Sequence, residues 1–296
     1  MIISQLNSGL GNQMFQYAAG KALSINKNTD LSIDISWYNN KEVMQTTRNY
    51  ELYVFKIEEH LIYEDKAYEY YNKGNAFINR IINKIERNKP YYKKKLFEEQ
   101  TFEFDPNFFK ARKDAIISGY WQSEKYFEGI SDKIRDIFTC NNDVWRINDI
   151  KVLNAIESNE SVSLHVRRGD MISNSEVAKV HGACDINYYN DSISYMNNKL
   201  KSPIYFIFSD DPKWASENIN TSNKTIFVDH NKNEFAWLDM QLMSRCKNNI
   251  IANSSFSWWG AWLNKNPNKI VVSPKRWFNH DKNNTKDLIP KSWISI

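Results

Sequence analysis

The chain has 296 residues, 42% of them apolar and 25% charged, with 14% aromatics and a formal net charge of +4. That length holds one or two packed cores, and with only 9 Gly and 7 Pro the composition excludes collagen-like, linker-rich and disordered classes. No apolar run approaches the ~18 residues that a membrane-spanning helix needs.

Residues 1–6 read as a strand and carry neither the basic region nor the apolar stretch of a signal peptide. Three scattered cysteines, Cys140, Cys184 and Cys246, give no disulfide framework and no metal spacing. Together these point to a reducing, cytoplasmic setting. Gly9-Leu10-Gly11-Asn12-Gln13 follows as a tight loop. Phe15, Ala18, Ala19, Ala22 and Leu23 then recur at helical spacing, and residues 31–35 alternate like a strand. The chain therefore opens β–loop–α–β, the start of a parallel α/β sheet.

Residues 40–115 lack clean periodicity. Within them, residues 73–95 hold eight basic residues against the single acid Glu86. Phe77, Ile78, Ile81, Ile82 and Ile85 recur there at helical spacing. Two readings stand: a basic amphipathic helix resting on the inner membrane leaflet, or a solvated helix packing its isoleucine stripe on the core. No nucleic-acid motif accompanies the charge, so no nucleic-acid partner is expected.

Residues 115–119 read as a strand ending at Gly119. The pattern lapses into polar residues around 141–149, which places a domain junction at 148/149. A second series follows, with strands at 161–166, 204–208, 226–228, 250–252 and 270–272 and a helix at 238–246. Another helix starts after Ser254 or Ser255, either of which can cap it. Trp258, Trp259 and Trp262 on that helix suit a core better than a sugar platform. Polar or charged residues recur just past the carboxyl ends of four strands, the edge where open α/β sheets bind ligands.

The chemistry concentrates at those ends. The Gly9–Gly11 loop offers a helix N-terminus to an anion or a hydrogen-bonding ligand, yet it fails the dinucleotide fingerprint because Met14 stands where the third glycine belongs. His165-Val166-Arg167-Arg168-Gly169-Asp170 places two arginines at a strand end, where guanidinium forks suit a diphosphate and one arginine can be held by a carboxylate such as Asp170. Ser209-Asp210-Asp211 can accept two donors of a guanine, or serve with Pro212 as a turn and helix cap. Asn253-Ser254-Ser255-Phe256-Ser257 supplies hydroxyls and helix N–H groups, a second phosphate cradle. There is no D-x-D, P-loop, G-x-S-x-G or H-E-x-x-H sequence. What remains is a diphosphate held by arginines and N–H groups, with no metal expected.

The opening motif through Met14-Phe15-Gln16-Tyr17-Ala18, the 165–170 turn, Phe208-Ser209-Asp210-Asp211 and residues 253–259 occur in the order found in the bacterial α-1,2-fucosyltransferases, which the chain resembles over nearly its whole length. The resemblance implies an α/β fold of GT-B type, two Rossmann-like domains facing across a cleft. The acceptor-side domain would be 1–148 and the donor domain 149–296, the last helix being free to pack back on the first domain. It implies GDP-β-L-fucose as donor, a β-galactoside acceptor that can be lipid-linked, inversion, and a role in O-antigen synthesis. By motif position, Arg167 would grip the β-phosphate, Arg168 would support it or reach the second phosphate, and Asp210 would read guanine. Ser254, Ser255 and Phe256 would line the diphosphate and ribose. Asn12, beside Gly11, would face the fucose or acceptor. The general base stays open among Asp170, His165, Asp34 and Glu176. The alternatives are a transferase of the same fold with another nucleotide sugar, and a non-catalytic nucleotide- or sugar-binding protein.

Overall fold

The computed structural model describes residues 1–39, 48–279 and 283–296, and for Asp170, Glu176 and Val177 the backbone alone. The chain divides into two compact units. One is Met1–Ile137 with Asn284–Leu288, the other Phe138–Asn283 with Ile289–Ile296.

The first unit runs β1 (Ile2–Gln5), α1 (Leu10–Asn26), β2 (Leu31–Asp34), β3 (His60–Ile62), α2 (Lys66–Tyr71), α3 (Ala76–Arg87), β4 (Leu96–Glu98) and β5 (Ile116–Ser118); α4 (Ser131–Phe138) follows. Its sheet has the order β3-β2-β1-β5-β4 with every pair parallel. The alanine-rich face of α1 lies close over β1. A Cβ on Gly20 would come within 2.9 Å of the Ser4 Cβ, so glycine sets that approach. Beside β4, Phe97, Phe108, Trp121 and Tyr126 pack in tilted and edge-to-face pairs, with centroids 4.7–6.0 Å apart. These four rings are buried, whereas Tyr53, Tyr63, Tyr68, Phe77 and Tyr120 of the same stretch are exposed. The isoleucine stripe of α3 also faces outward, while Glu86 on the same helix is buried.

The second unit runs α5 (Ile147–Glu157), β6 (Ser161–Val166), α6 (Gly169–Ser173), α7 (Ser175–Val180), α8 (Ile186–Lys199), β7 (Ile204–Ser209), α9 (Pro212–Asn218), β8 (Thr225–Val228), α10 (Trp237–Arg245), β9 (Asn248–Ile250), α11 (Ser255–Leu263), β10 (Val271–Ser273) and β11 (Ile294–Ser295). Its parallel sheet has the order β11-β10-β9-β6-β7-β8. The period-2 alternation of a strand sorts its side chains onto two layers. Val162, Leu164, Val166, Tyr205 and Ile207 pack against Tyr188, Tyr189, Ile193 and Met196 of α8. Phe206, Phe208 and Val228 pack against α5 and Leu238, Leu242 and Met243 of α10. Trp258 and Trp259 are fully buried and Trp262 nearly so, the core role expected of them.

Three expectations need correction. The division falls at 137/138, earlier than 148/149, because the polar stretch belongs to the second unit. Phe138 packs edge-on against Trp259 at 5.3 Å, the Cys140 N–H donates to Gln241 Oε1 (3.1 Å) and Gln241 Nε2 to the Phe138 carbonyl (2.9 Å). The segment returning to the first unit is no terminal helix but the short stretch Asn284–Leu288, held by Asp287, which pairs with Lys125 and accepts the Phe104 N–H. The strand expected at 250–252 lies at Asn248–Ile250. Two buried asparagines open it, and the Asn249 side chain is satisfied by the Ser163 hydroxyl and the Met243 carbonyl. Among the described residues no helix is long and apolar enough to cross a membrane.

Candidate functional site

In the second sheet β6 sits between β7 and β9, so the chain leaves β6 toward one side and β9 toward the other. The loops after β6 and β9 diverge at their carboxyl ends and leave a crevice, the switch point at which open α/β sheets take ligands. The residues singled out in sequence, 165–170 and 253–256, flank this point.

The two arginines are held by two successive aspartates from the end of β7. Arg167 Nη1 lies 2.8 Å from Asp210 Oδ2. The backbone N–H of Arg168 donates to Asp210 Oδ1 at 2.8 Å. Arg168 Nε reaches Asp211 Oδ2 at 3.4 Å, and its guanidinium lies 4.0 Å from the centre of the Trp214 ring, in cation–π range. Asp211 also caps α9, accepting the Trp214 N–H at 3.1 Å, so the turn-and-cap reading of Asp211-Pro212 holds. A Cβ on Gly169 would come within 2.6 Å of Asp210 Oδ2 and push that carboxylate aside. Ion pairs this exposed add little stability. Their effect is geometric: the carboxylates fix where each guanidinium sits at the end of β6.

Both Asp210 oxygens serve Arg167 and Arg168, so Asp210 orients the two arginines. The carboxylate that meets Arg168 is Asp211, which was not foreseen; the Asp170 side chain lies outside the described residues, as does that of Glu176.

His165 projects from the face of β6 opposite Val166 and is 5% exposed. Its Nδ1 is buried without a hydrogen-bond partner, and its ring lies 5.8 Å from that of Phe256 in the first turn of α11. Burial, reinforced by the Arg167 charge and opposed by Asp210, lowers its pKa to about 4. The imidazole is therefore neutral near pH 7 and a weak base there. Its unpartnered Nδ1 is a buried polar atom at the end of β6, beside the first turn of α11.

α11 begins without a side-chain cap. Ser254 has extended backbone angles (φ −142°, ψ 127°) and makes no cap hydrogen bond with its side chain. Ser254, Ser255 and Phe256 are half-buried. The first-turn N–H groups of this helix thus face the crevice with donors for an anion. Asn253 is structural: its Nδ2 donates to the carbonyls of Gly182 (2.8 Å) and Trp277 (3.1 Å).

The glycine loop of the first unit does something else. The Leu10 N–H donates to Glu51 Oε2 at 2.7 Å, so the chain's own carboxylate occupies the helix end expected to receive a ligand anion. Gly11 is buried within α1. Asn12 Oδ1 accepts from Gln122 Nε2 at 2.7 Å, and Gln16 Nε2 donates to the Gly119 carbonyl at 3.1 Å. These bonds tie α1 to the segment after β5, across the switch point between β1 and β5. Glu99, absent from the sequence reading, orders that segment by accepting the N–H groups of Tyr120 (2.7 Å) and Trp121 (3.0 Å). Burial raises its pKa to about 7. It sits in the stretch without periodicity, where no signal marked it. Asp34 is buried and accepts from the Ser36 N–H (2.9 Å) and Gln5 Nε2 (3.2 Å), bonds that fix the end of β2.

Comparison with known proteins agrees with this picture. The model of glycosyl transferase family 11 matches residues 1–296. The Escherichia coli α-1,2-colitosyltransferase is 36% identical over 304 residues, covering 100% of this chain and 99% of that protein. The E. coli O-antigen biosynthesis glycosyltransferase WbnK is 35% identical, covering 99% of each. Among solved structures, an Arabidopsis thaliana FUT1 mutant in complex with GDP aligns with a TM-score of 0.50 at 11% identity, over 98% of this chain and 74% of that one. That likeness is one of fold, and the two parallel-sheet α/β units are those of the GT-B class.

Proposed function

The chain belongs to glycosyl transferase family 11, and from that membership we propose that it transfers L-fucose from GDP-β-L-fucose to the 2-hydroxyl of a terminal β-galactoside in bacterial surface-glycan synthesis. One observation supports this reading above the rest. Arg167 and Arg168 are locked by Asp210 and Asp211 at the carboxyl end of β6, at the same switch point as the uncapped start of α11. Guanidinium donors and helix N–H groups that converge on one crevice match a nucleoside diphosphate.

In the proposed reaction the acceptor oxygen attacks the anomeric carbon opposite the leaving group. The new C–O bond forms as the bond to the β-phosphate oxygen breaks. GDP leaves with the electron pair, the acceptor proton passes to a base, and the configuration inverts. Negative charge grows on the diphosphate, where the preset Arg167 stabilises it without reorganising. Arg168 supports the second phosphate. The donor is held by arginines and backbone N–H groups, with no metal required.

The identity with a colitosyltransferase favours one second reading. Colitose is fucose without its 3-hydroxyl, so a donor site for one differs from a site for the other by a single hydroxyl contact. GDP release from GDP-fucose, measured in EDTA with and without β-galactosides, tests the proposal. Acceptor-dependent release is the expected result. Release from GDP-colitose alone supports the second reading, and GDP binding without turnover on any acceptor supports a binding protein instead.

A further inference from the structure

We infer that α3 is an interfacial helix that seats the first unit on an anionic lipid surface. The helix is formed without lipid. Asn75 caps it, its Oδ1 accepting the N–H groups of Phe77 and Ile78 at 3.1 Å each, and Asn79 returns a hydrogen bond to the Gly74 carbonyl at 3.0 Å. What is unusual is the direction of its faces. Glu86, the single acid of residues 73–95, points inward and is buried. It accepts from Lys89 Nζ (2.7 Å), from the Lys95 N–H (2.6 Å) and from the Tyr70 hydroxyl (3.3 Å), with Arg112 at 3.5 Å.

The apolar residues point the other way. Phe77 is 70% exposed, Ile85 54%, and Ile78 and Ile81 43% each. Phe77, Ile81 and Ile85 stand at i, i+4 and i+8 and form one stripe. Arg80, Lys84 and Arg87 stand at i, i+4 and i+7 and form a second stripe along one side of the first. All three are exposed, as are Lys73 and Lys93 in the flanking turns. A water-facing helix ordinarily turns its apolar stripe to the core. This one turns its acid to the core and Phe77, Ile78, Ile81 and Ile85 out, bordered by cations, with Ile82 half-buried between.

Apolar side chains that sink below a headgroup layer, beside cations that stay among phosphates, are the chemistry of an interfacial helix. At 1.5 Å per residue, its 12 residues extend about 18 Å. That length lies along a bilayer surface and is too short to cross one. The charge selects the occupant. A second copy of the chain would bring the same cations against these cations, whereas an anionic headgroup layer neutralises them and covers the isoleucines together.

The test is flotation of the full chain with phosphatidylglycerol-rich vesicles and with phosphatidylcholine vesicles. Three variants are compared: Phe77→Ser with Ile81→Ser, Arg80→Gln with Lys84→Gln and Arg87→Gln, and Lys66→Gln as a control on α2. Binding to the anionic vesicles and not to the neutral ones is expected. The triple charge variant should bind about a hundredfold more weakly, at roughly fivefold per cation, and the double serine variant should not float. All substituted side chains except Lys66 are exposed, so unfolding does not mimic these losses; Tm and turnover on a soluble acceptor should match wild type. Four results would overturn the inference. These are no flotation of wild type, equal flotation with neutral vesicles, retention by the triple variant, or a concentration-dependent dimer without lipid that Ile81→Ser disperses. RNA binding that survives Phe77→Ser with Ile81→Ser would assign the patch to nucleic acid and overturn it as well.

Discussion

Each unit carries a strand, a loop and a helix that begins without a side-chain cap at its first position, and the two helix ends have opposite fates. At α1 the Leu10 N–H is closed by Glu51 from the same chain. At α11 the N-cap Ser254 makes no cap bond with its side chain, no described side chain accepts the first-turn N–H groups, and two arginines stand at the neighbouring strand end. The physics of the two ends is the same, since each offers N–H groups and the positive end of a helix dipole. The difference lies in who supplies the anion. A helix N-terminus after a strand is therefore only half of a phosphate-site argument; the other half is whether a carboxylate distant in sequence has taken the seat.

That contrast can be broken experimentally, and the largest effect should come from the open end. Arg167→Ala should lower kcat/KM by a hundredfold or more, about 3 kcal/mol of transition-state stabilisation, with Tm nearly unchanged. Near-normal turnover would remove Arg167 from the mechanism. Asp210→Asn keeps the side chain's size and removes the charge that holds Arg167. A fall of about tenfold, ~1.4 kcal/mol, is expected mainly in kcat, with Gly169→Ala behaving alike because its methyl displaces the same carboxylate. A change confined to KM for the donor would point to direct contact with the nucleotide instead.

The closed end should respond in stability and not in catalysis. Glu51→Ala strips the acceptor from the Leu10 N–H and should cost about 1 kcal/mol, lowering Tm by a few degrees, while GDP affinity measured by calorimetry stays constant. Weaker GDP binding in that variant would show that the two ends are not as distinct as their geometry.

The last prediction concerns pH. Asp239, in the second unit, is pushed by burial from 3.8 to about 8, and Glu99, in the first, from 4.5 to about 7. Both are raised, so the folded protein binds protons that the unfolded chain releases. Their stabilising contribution is complete below the unfolded values and is lost as pH rises through about 7 and then about 8. Thermal midpoints should decline across that window, and Asp239→Asn should flatten the upper part of the decline. An identical slope in the variant would assign the loss to other groups.

How much of this was legible from the chain depended on where burial and polarity coincide. The second unit declared itself, because β6 alternates polar and apolar residues and β7 is an unbroken apolar run, and they stop abruptly at Arg167 and at Ser209. The His165–Asp170 and Asp210–Asp211 ends are thus legible in the sequence. β9 was displaced by two residues, because buried Asn248 and Asn249 look like loop to a hydropathy reading and are strand only through partners far along the chain. β3 and β4 were invisible. Each has three residues and stands at a sheet edge, too short for alternation to register. Glu51 and Glu99 were missed for a related cause: a carboxylate that meets backbone N–H groups has no local pattern. In α3 the periodicity was right and did not determine the facing, since Glu86 anchors the helix through residues that precede and follow it.

The return of Asn284–Leu288 to the first unit also bears on how such a protein can be cut and recombined. The boundary is not one point on the gene. Exchanging everything after residue 137 with a relative would also exchange Asp287, which pairs with Lys125 and caps the Phe104 N–H in the other half. A hybrid that keeps the resident 284–288 should retain the first unit's stability, whereas one that swaps it wholesale keeps the Lys125 pair only where the incoming segment brings its own carboxylate. Modular as the two sheets are, their inheritance is joined at the tail.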